Sequence, residues 1–145
     1  SGDDYRVYTL LGDGEIQEGQ VWEAFMFAHH YKLDNLCVII DNNGLQIDGA
    51  VDKVMSPYPI PDKLKAFGFA VKEIDGHDFD QIEAAFAEAK ATKGVPFAIV
   101  MKTTKGKGVS YMENQAGWHG KAPNDEEYKI AMDELTAQLA EVEAM

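Results

Sequence analysis

Two short segments hold the residue types that could do chemistry. Gly12-Asp13-Gly14-Glu15 follows the apolar, β-rich run from Arg6 to Leu11, and Asp41-Asn42-Asn43-Gly44 follows a second such run, Leu36 to Ile40. Residues at the carboxyl ends of adjacent parallel strands face a common crevice, so the two turns are read together. Gly12 and Gly14 permit a tight turn and let a ligand approach the backbone. A helix beginning after Gly14 offers unpaired N–H groups and a positive dipole end, which suits phosphate. Asp13 would repel a bare phosphate at that point. It fits if it holds a divalent cation that the phosphate also binds. Asn43 and a main-chain carbonyl just beyond it would then complete an oxygen shell of the kind magnesium or calcium takes. A GDG turn alone is weak, since Asp-Gly and Asn-Gly are common turn formers. The order strand, GDGE, helix, strand, DNNG in one short unit carries more weight.

The elements that must position these residues alternate short β-rich runs with longer helical ones, which predicts an α/β fold with a mostly parallel sheet flanked by helices. An amphipathic helix is expected from about Gln17 to Lys32, with Val21, Trp22, Phe25, Met26, Ala28 and Tyr31 as its apolar residues. Leu45 to Pro61 is a looser stretch that Pro57, Pro59 and Pro61 keep from being one continuous helix. A short helix near Asp62 to Phe67, a strand from Ala70 to Ile74, a helix from Phe79 to Ala91 capped by Asp78, and a fourth strand from Val95 to Met101 follow. Lys102 to Asp125 is long and irregular, and loops of that length are functional or disordered. An acidic helix, about Asp125 to Val142, closes the chain. There is no internal repeat or linker, so residues 1–145 read as one domain.

Composition bounds the function. The 145 residues are 46% hydrophobic and 26% charged, ordinary for one globular domain. A net charge of −12 argues against nucleic acid and anionic membrane as partners, because both need clustered Lys and Arg. No charged-then-apolar leader opens the sequence, and no apolar run approaches the ~20 residues of a membrane span. A cytoplasmic protein is expected. Cys37, the single cysteine, lies in the apolar run Leu36-Cys37-Val38-Ile39-Ile40 and reads as a buried thiol with no pair to form.

The segments GDGEIQEGQ and NNGLQIDG together match the thiamine-diphosphate motif, and with KTTKGKGVS and ENQAGWHG the sequence resembles the transketolase family over nearly its whole length. The resemblance is to the diphosphate-binding domain of the N-terminal, split-subunit type. It implies a thiamine diphosphate cofactor with Mg2+ or Ca2+, and transfer of a two-carbon ketol unit between sugar phosphates in the pentose phosphate pathway. Asp13 and Asn43 match the side-chain metal ligands, and Leu45 the position whose carbonyl joins them. Gly14 matches the glycine whose amide touches the diphosphate, Gly12 and Glu15 stand in the same motif, and Ile47 falls where an apolar side chain packs near the cofactor rings. His119 matches the histidine beside the diphosphate and reactive carbon, which assists proton transfer or binds substrate oxygen. Glu18 and Glu23 match acidic residues at the contact with a partner chain.

Other readings stay open for several of these. Glu18 and Glu23 also suit a solvated helix face, and His119 an exposed loop, although Trp118 and two glycines mark an ordered turn. His29 and His30 suit surface or core-edge roles, and His77 a turn leading into a helix. Lys102, Lys105 and Lys107 could line an anion site beside Gly106 and Gly108, or stand in a solvated loop.

In the family a pyrimidine-binding domain supplies the glutamate that activates the cofactor, and histidines that contact cofactor and sugar precede the GDG motif. Neither is in this sequence. It is therefore expected to be a fragment truncated at its N-terminus, inactive alone, that works with a complementary pyrimidine-binding subunit or domain in a homo- or hetero-oligomer. Two alternatives remain. One is another thiamine-diphosphate enzyme, of the deoxyxylulose-phosphate synthase or dehydrogenase-component type. The other is a non-catalytic assembly module.

Overall fold

The computed structural model describes residues 2–144. Four apolar runs become strands because each is short, β-branched and bounded by turn residues. They are β1 (Val7–Gly12), β2 (Leu36–Asn42), β5 (Ala70–Asp75) and β6 (Phe97–Lys102). All pairings among them are parallel, and the strand order is β1-β2-β6-β5. Register sets Gly12 opposite Asp41 and Asn42 opposite Lys102, so both motif turns leave the same end of the sheet.

Alternation along the central strands sends side chains into two cores. Val38, Ile40, Ala98 and Val100 pack with Phe25 and Ala28 of helix α1 (Gly19–His30) and with Ile60 and Leu64 of α3 (Ile60–Ala66). Cys37, Phe97 and Ile99 pack on the other face with Ala85 and Ala89 of α4 (Phe79–Ala91). Cys37 is fully buried, and burial pushes its thiol up to about 11, so it is inert as a nucleophile near neutral pH. Helices α1 and α3 thus cover one face of the sheet and α4 the other. In open sheets of this kind ligands bind outside the carboxyl ends of the strands.

Asp78 caps α4 as expected, accepting from the Gln81 amide at 3.1 Å. The first helix differs from the expectation of one run from Gln17. A 3₁₀ turn, Glu15–Gln17, precedes α1, and Glu18 between them is extended. Trp22 fixes this break by donating its indole N–H to the Ile16 carbonyl at 2.6 Å. The buried stripe of α1 is narrower than predicted. Met26 and Tyr31 are 57% and 59% exposed, because they sit around the helix from the face that carries Phe25 and Ala28.

The stretch Leu45 to Pro61 is more ordered than its prolines suggest. It opens with an antiparallel two-residue hairpin, β3 (Leu45–Gln46) and β4 (Gly49–Ala50), and continues into α2 (Val51–Val54). Helix α5 (Asp125–Glu143) opens with a capping box in which Asn124 and Glu127 satisfy each other's backbone amides. None of the described helices is long and apolar enough to cross a membrane.

Candidate functional site at the carboxyl end of the sheet

Asp13 is the centre of the site. Its side chain is 1% exposed, although it sits in a turn after a strand. One carboxylate oxygen accepts the Gly14 amide at 2.8 Å, and the other accepts the Gly44 amide at 2.6 Å. One side chain thus ties the first motif to the second across 31 residues of sequence. Burial is the largest influence on this group and raises its pKa above the ordinary value. The Gly44 and Gly14 amides pull it down, and the nearby Asp41 carboxylate pushes it up again. No Lys, Arg or His forms an ion pair with it among the described residues. A buried carboxylate held by amides and near another carboxylate, with no cationic side chain paired to it, is electrostatically incomplete.

A divalent cation fits that deficit. The described residues contain no cluster of three or more His, Cys, Asp or Glu side chains suited to a metal. The donors expected from the sequence, the Asp13 carboxylate, the Asn43 amide oxygen and the Leu45 carbonyl, all belong to residues that line one cleft. Magnesium needs no larger protein set when phosphate oxygens and water complete its shell, and all three donors are the hard oxygens it prefers. Asn43 is oriented by accepting the Leu45 amide at 3.0 Å.

A cleft of about 590 Å3 opens beside Asp13. Gly12, Gly14, Glu15, Gln17 and Glu18 line it from the first motif, and Asp41, Asn43, Leu45, Gln46, Ile47 and Asp48 from the second. Lys105 and His119 reach it from the loop after β6. Ile47 is 73% exposed and offers an apolar surface at the cleft rim. Glu15 has a local task as well, since its carboxylate accepts the Gly12 amide at 3.0 Å and closes the turn. Glu23 is exposed on α1 and does not line the cleft.

The loop from 103 to 124 is folded back on itself. Gly106 has φ +72°, and a Cβ there would meet the Met112 backbone at 2.7 Å, so only glycine fits. The Asn114 amide donates to the Lys105 carbonyl at 3.0 Å, which closes the loop and fixes Lys105. Trp118 donates to the Tyr111 carbonyl at 3.1 Å and packs against the Tyr111 ring, and His119 follows it into the cleft. Thr103 donates to the Asp41 carboxylate and ties this loop to β2. Of the three lysines raised by the sequence, Lys105 lines the cleft, while Lys102 and Lys107 line a neighbouring hollow with His77. His77 accepts the Thr104 amide at 2.8 Å and so holds loop to turn. His29 and His30 line a larger apolar hollow of about 940 Å3 at the far end of α1, which holds none of the motif residues.

A parallel sheet with a polar crevice at the carboxyl ends of its strands places the chain among the open α/β domains that hold ligands at this edge. Residues 2–141 match the family described as the thiamine diphosphate binding domain of transketolase. The chain is 44% identical over 140 residues to an apulose-4-phosphate transketolase subunit of Phocaeicola vulgatus, a match that covers 97% of this chain and 50% of that protein. It is 43% identical over 134 residues to the 6-deoxy-6-sulfo-D-fructose transketolase subunit SqwG of a Clostridium species, covering 92% of this chain and 49% of that one. The transketolase structure from Campylobacter jejuni superposes with a TM-score of 0.84 at 36% identity, over 90% of this chain and 20% of that one. The chain belongs to the thiamine diphosphate-binding domain family of transketolases. It spans about half the length of the subunit relatives it matches.

Proposed function

We propose that this chain supplies the diphosphate- and metal-binding half of a transketolase active site, which transfers a two-carbon ketol unit between sugar phosphates once a pyrimidine-binding partner completes it. The observation that carries this reading is Asp13, buried and bonded to the amides of both motifs beside one cleft. Asp13, Asn43 and the Leu45 carbonyl would hold the magnesium, and the Gly14 end of the first motif would face the diphosphate. Bound thiamine diphosphate supplies the carbon nucleophile and the electron sink that carbon–carbon cleavage requires. The chain's own residues bind and orient. Lys105, His119 and Ile47 line the cleft; Lys105 would add a positive charge, His119 would exchange a proton with a substrate oxygen, and Ile47 would offer apolar contact.

The relatives named as transketolase subunits support a partner chain. Glu18 at the cleft and Glu23 on the exposed side of α1 are the residues we place at that contact. The same relatives favour transketolase over the synthase or dehydrogenase alternatives. Mixing the chain with a complementary pyrimidine-binding subunit, thiamine diphosphate, magnesium and a ketose–aldose phosphate pair tests the reading. Product is expected only from the mixture. Turnover by the pure chain, or none in any mixture that forms a stable complex, would contradict it.

A further inference from the structure

The cleft has one wall whose position nothing in the metal or cofactor chemistry explains. The β3–β4 hairpin carries Leu45 and Ile47 over the first motif, yet its two strands are two residues each and pair only with one another. So short a hairpin has no independent stability. It is held from outside. The Gln17 side-chain amide donates to the Gln46 side-chain oxygen at 2.7 Å, and the same nitrogen donates to the Met55 carbonyl at 2.6 Å. A single side chain from the 3₁₀ turn after the first motif thus grips the hairpin 29 residues on, and the end of α2 as well. Gln46 is also pressed onto Gly14, where an added Cβ would come within 2.9 Å of the Gln46 Cβ.

We propose that Gln17 and Gln46 are positioning residues of the site, a side-chain amide clamp that fixes the height of the Leu45–Ile47 segment above the Gly14 turn. The clamp acts through the Leu45 carbonyl and the Gly14 amide, and this role rests on the cofactor reading above. It operates in the unliganded chain as well, because its hydrogen bonds are made within the protein.

The test uses Gln17→Leu, Gln46→Leu and the double variant, with two readouts. Amide hydrogen exchange on the unliganded chain reports the clamp alone. Each single variant is expected to speed exchange at Gly44, Leu45 and Val51 by about 3- to 10-fold, the weight of one or two hydrogen bonds, while β2 and β6 exchange as before. Titration of thiamine diphosphate with magnesium reports the consequence. Each single variant is expected to bind about 3- to 10-fold more weakly, and the double variant no worse than the weaker single one, as for residues acting as a unit. Unchanged hairpin exchange would overturn the clamp. Independent, multiplicative affinity losses with unchanged exchange would mean direct ligand contacts instead. If neither the chain nor its complex with the pyrimidine-binding subunit binds the cofactor, the cofactor reading fails while the exchange result still decides the clamp.

Discussion

Asp13 is kept buried at a cost that the unliganded chain bears. Its pKa is raised by burial from the ordinary 3.8, so the folded state holds its proton more readily than the unfolded state. The stability linked to that proton is complete below the unfolded pKa and is lost as pH rises through the folded one. In chelator, melting temperature should therefore carry a falling component from about pH 4 upward. Magnesium, by favouring the charged carboxylate, should remove it. The gap between melting curves with magnesium and with chelator should widen as pH rises above about 4, and superimposable curves would contradict the assignment. Two other carboxylates work in the opposite direction. Glu127, bonded to the Asn124 amide, and Glu134, bonded to Ser110, have lowered pKa values, so their contribution is lost as pH falls below the ordinary 4.5. Gly14 sets a steric limit at the same scale. Gly14→Ala puts a methyl 2.9 Å from the Gln46 Cβ, and the hairpin must move. On the order of tenfold weaker cofactor binding, with the fold retained by circular dichroism, is the expected result.

Elements whose signals are local were legible in the sequence, and those set by distant contacts were not. The alternation of apolar runs and turns gave β1, β2, β5 and β6 to within a few residues, and Asp78 marked the start of α4 because a capping side chain acts only three residues ahead. Asp13 and Asn43 could be paired from the two turns, since parallel strands bring their carboxyl ends together. The β3–β4 hairpin and α2 were hidden because their pieces are two to four residues long, and the bonds that tie them to the first motif come from Gln17 and Asp13, about 30 residues earlier. Lys105 was indistinguishable from Lys102 and Lys107 until Gly106 turned the loop. Helix α5 shows how local its own anchoring is. Its body contacts run through Ala131, the Glu134–Ser110 pair and the Gln138 bond to the Gly108 carbonyl, while Leu139 and Val142 are 56% and 67% exposed. The capping box then matters. Asn124→Ala should cost about 1 kcal/mol, or roughly 4 °C in melting temperature, with cofactor affinity unchanged because no residue of α5 lines the cleft.

At the scale of the molecule, the sheet edge at β1 stands out. Strand β1 pairs with β2 on one side and with no other strand among the described residues, while Val7, Tyr8 and Leu10 on it are 43%, 44% and 67% exposed. An apolar, unpaired edge of this kind promotes association. Sedimentation velocity on the pure chain should show concentration-dependent self-association, and Leu10→Lys should suppress it without unfolding the sheet. A native chain that stays monomeric at high concentration would contradict this. The cleft gathers the proposed metal donors, a glycine turn, Lys105 and His119 from one chain, so the proposal is open to test on the chain alone. Calorimetric titration of thiamine diphosphate into the chain, with magnesium and then with chelator, is the most direct test. Binding that requires magnesium and vanishes in Asp13→Ala is the predicted result; binding that persists in chelator or in that variant would contradict the role given to Asp13.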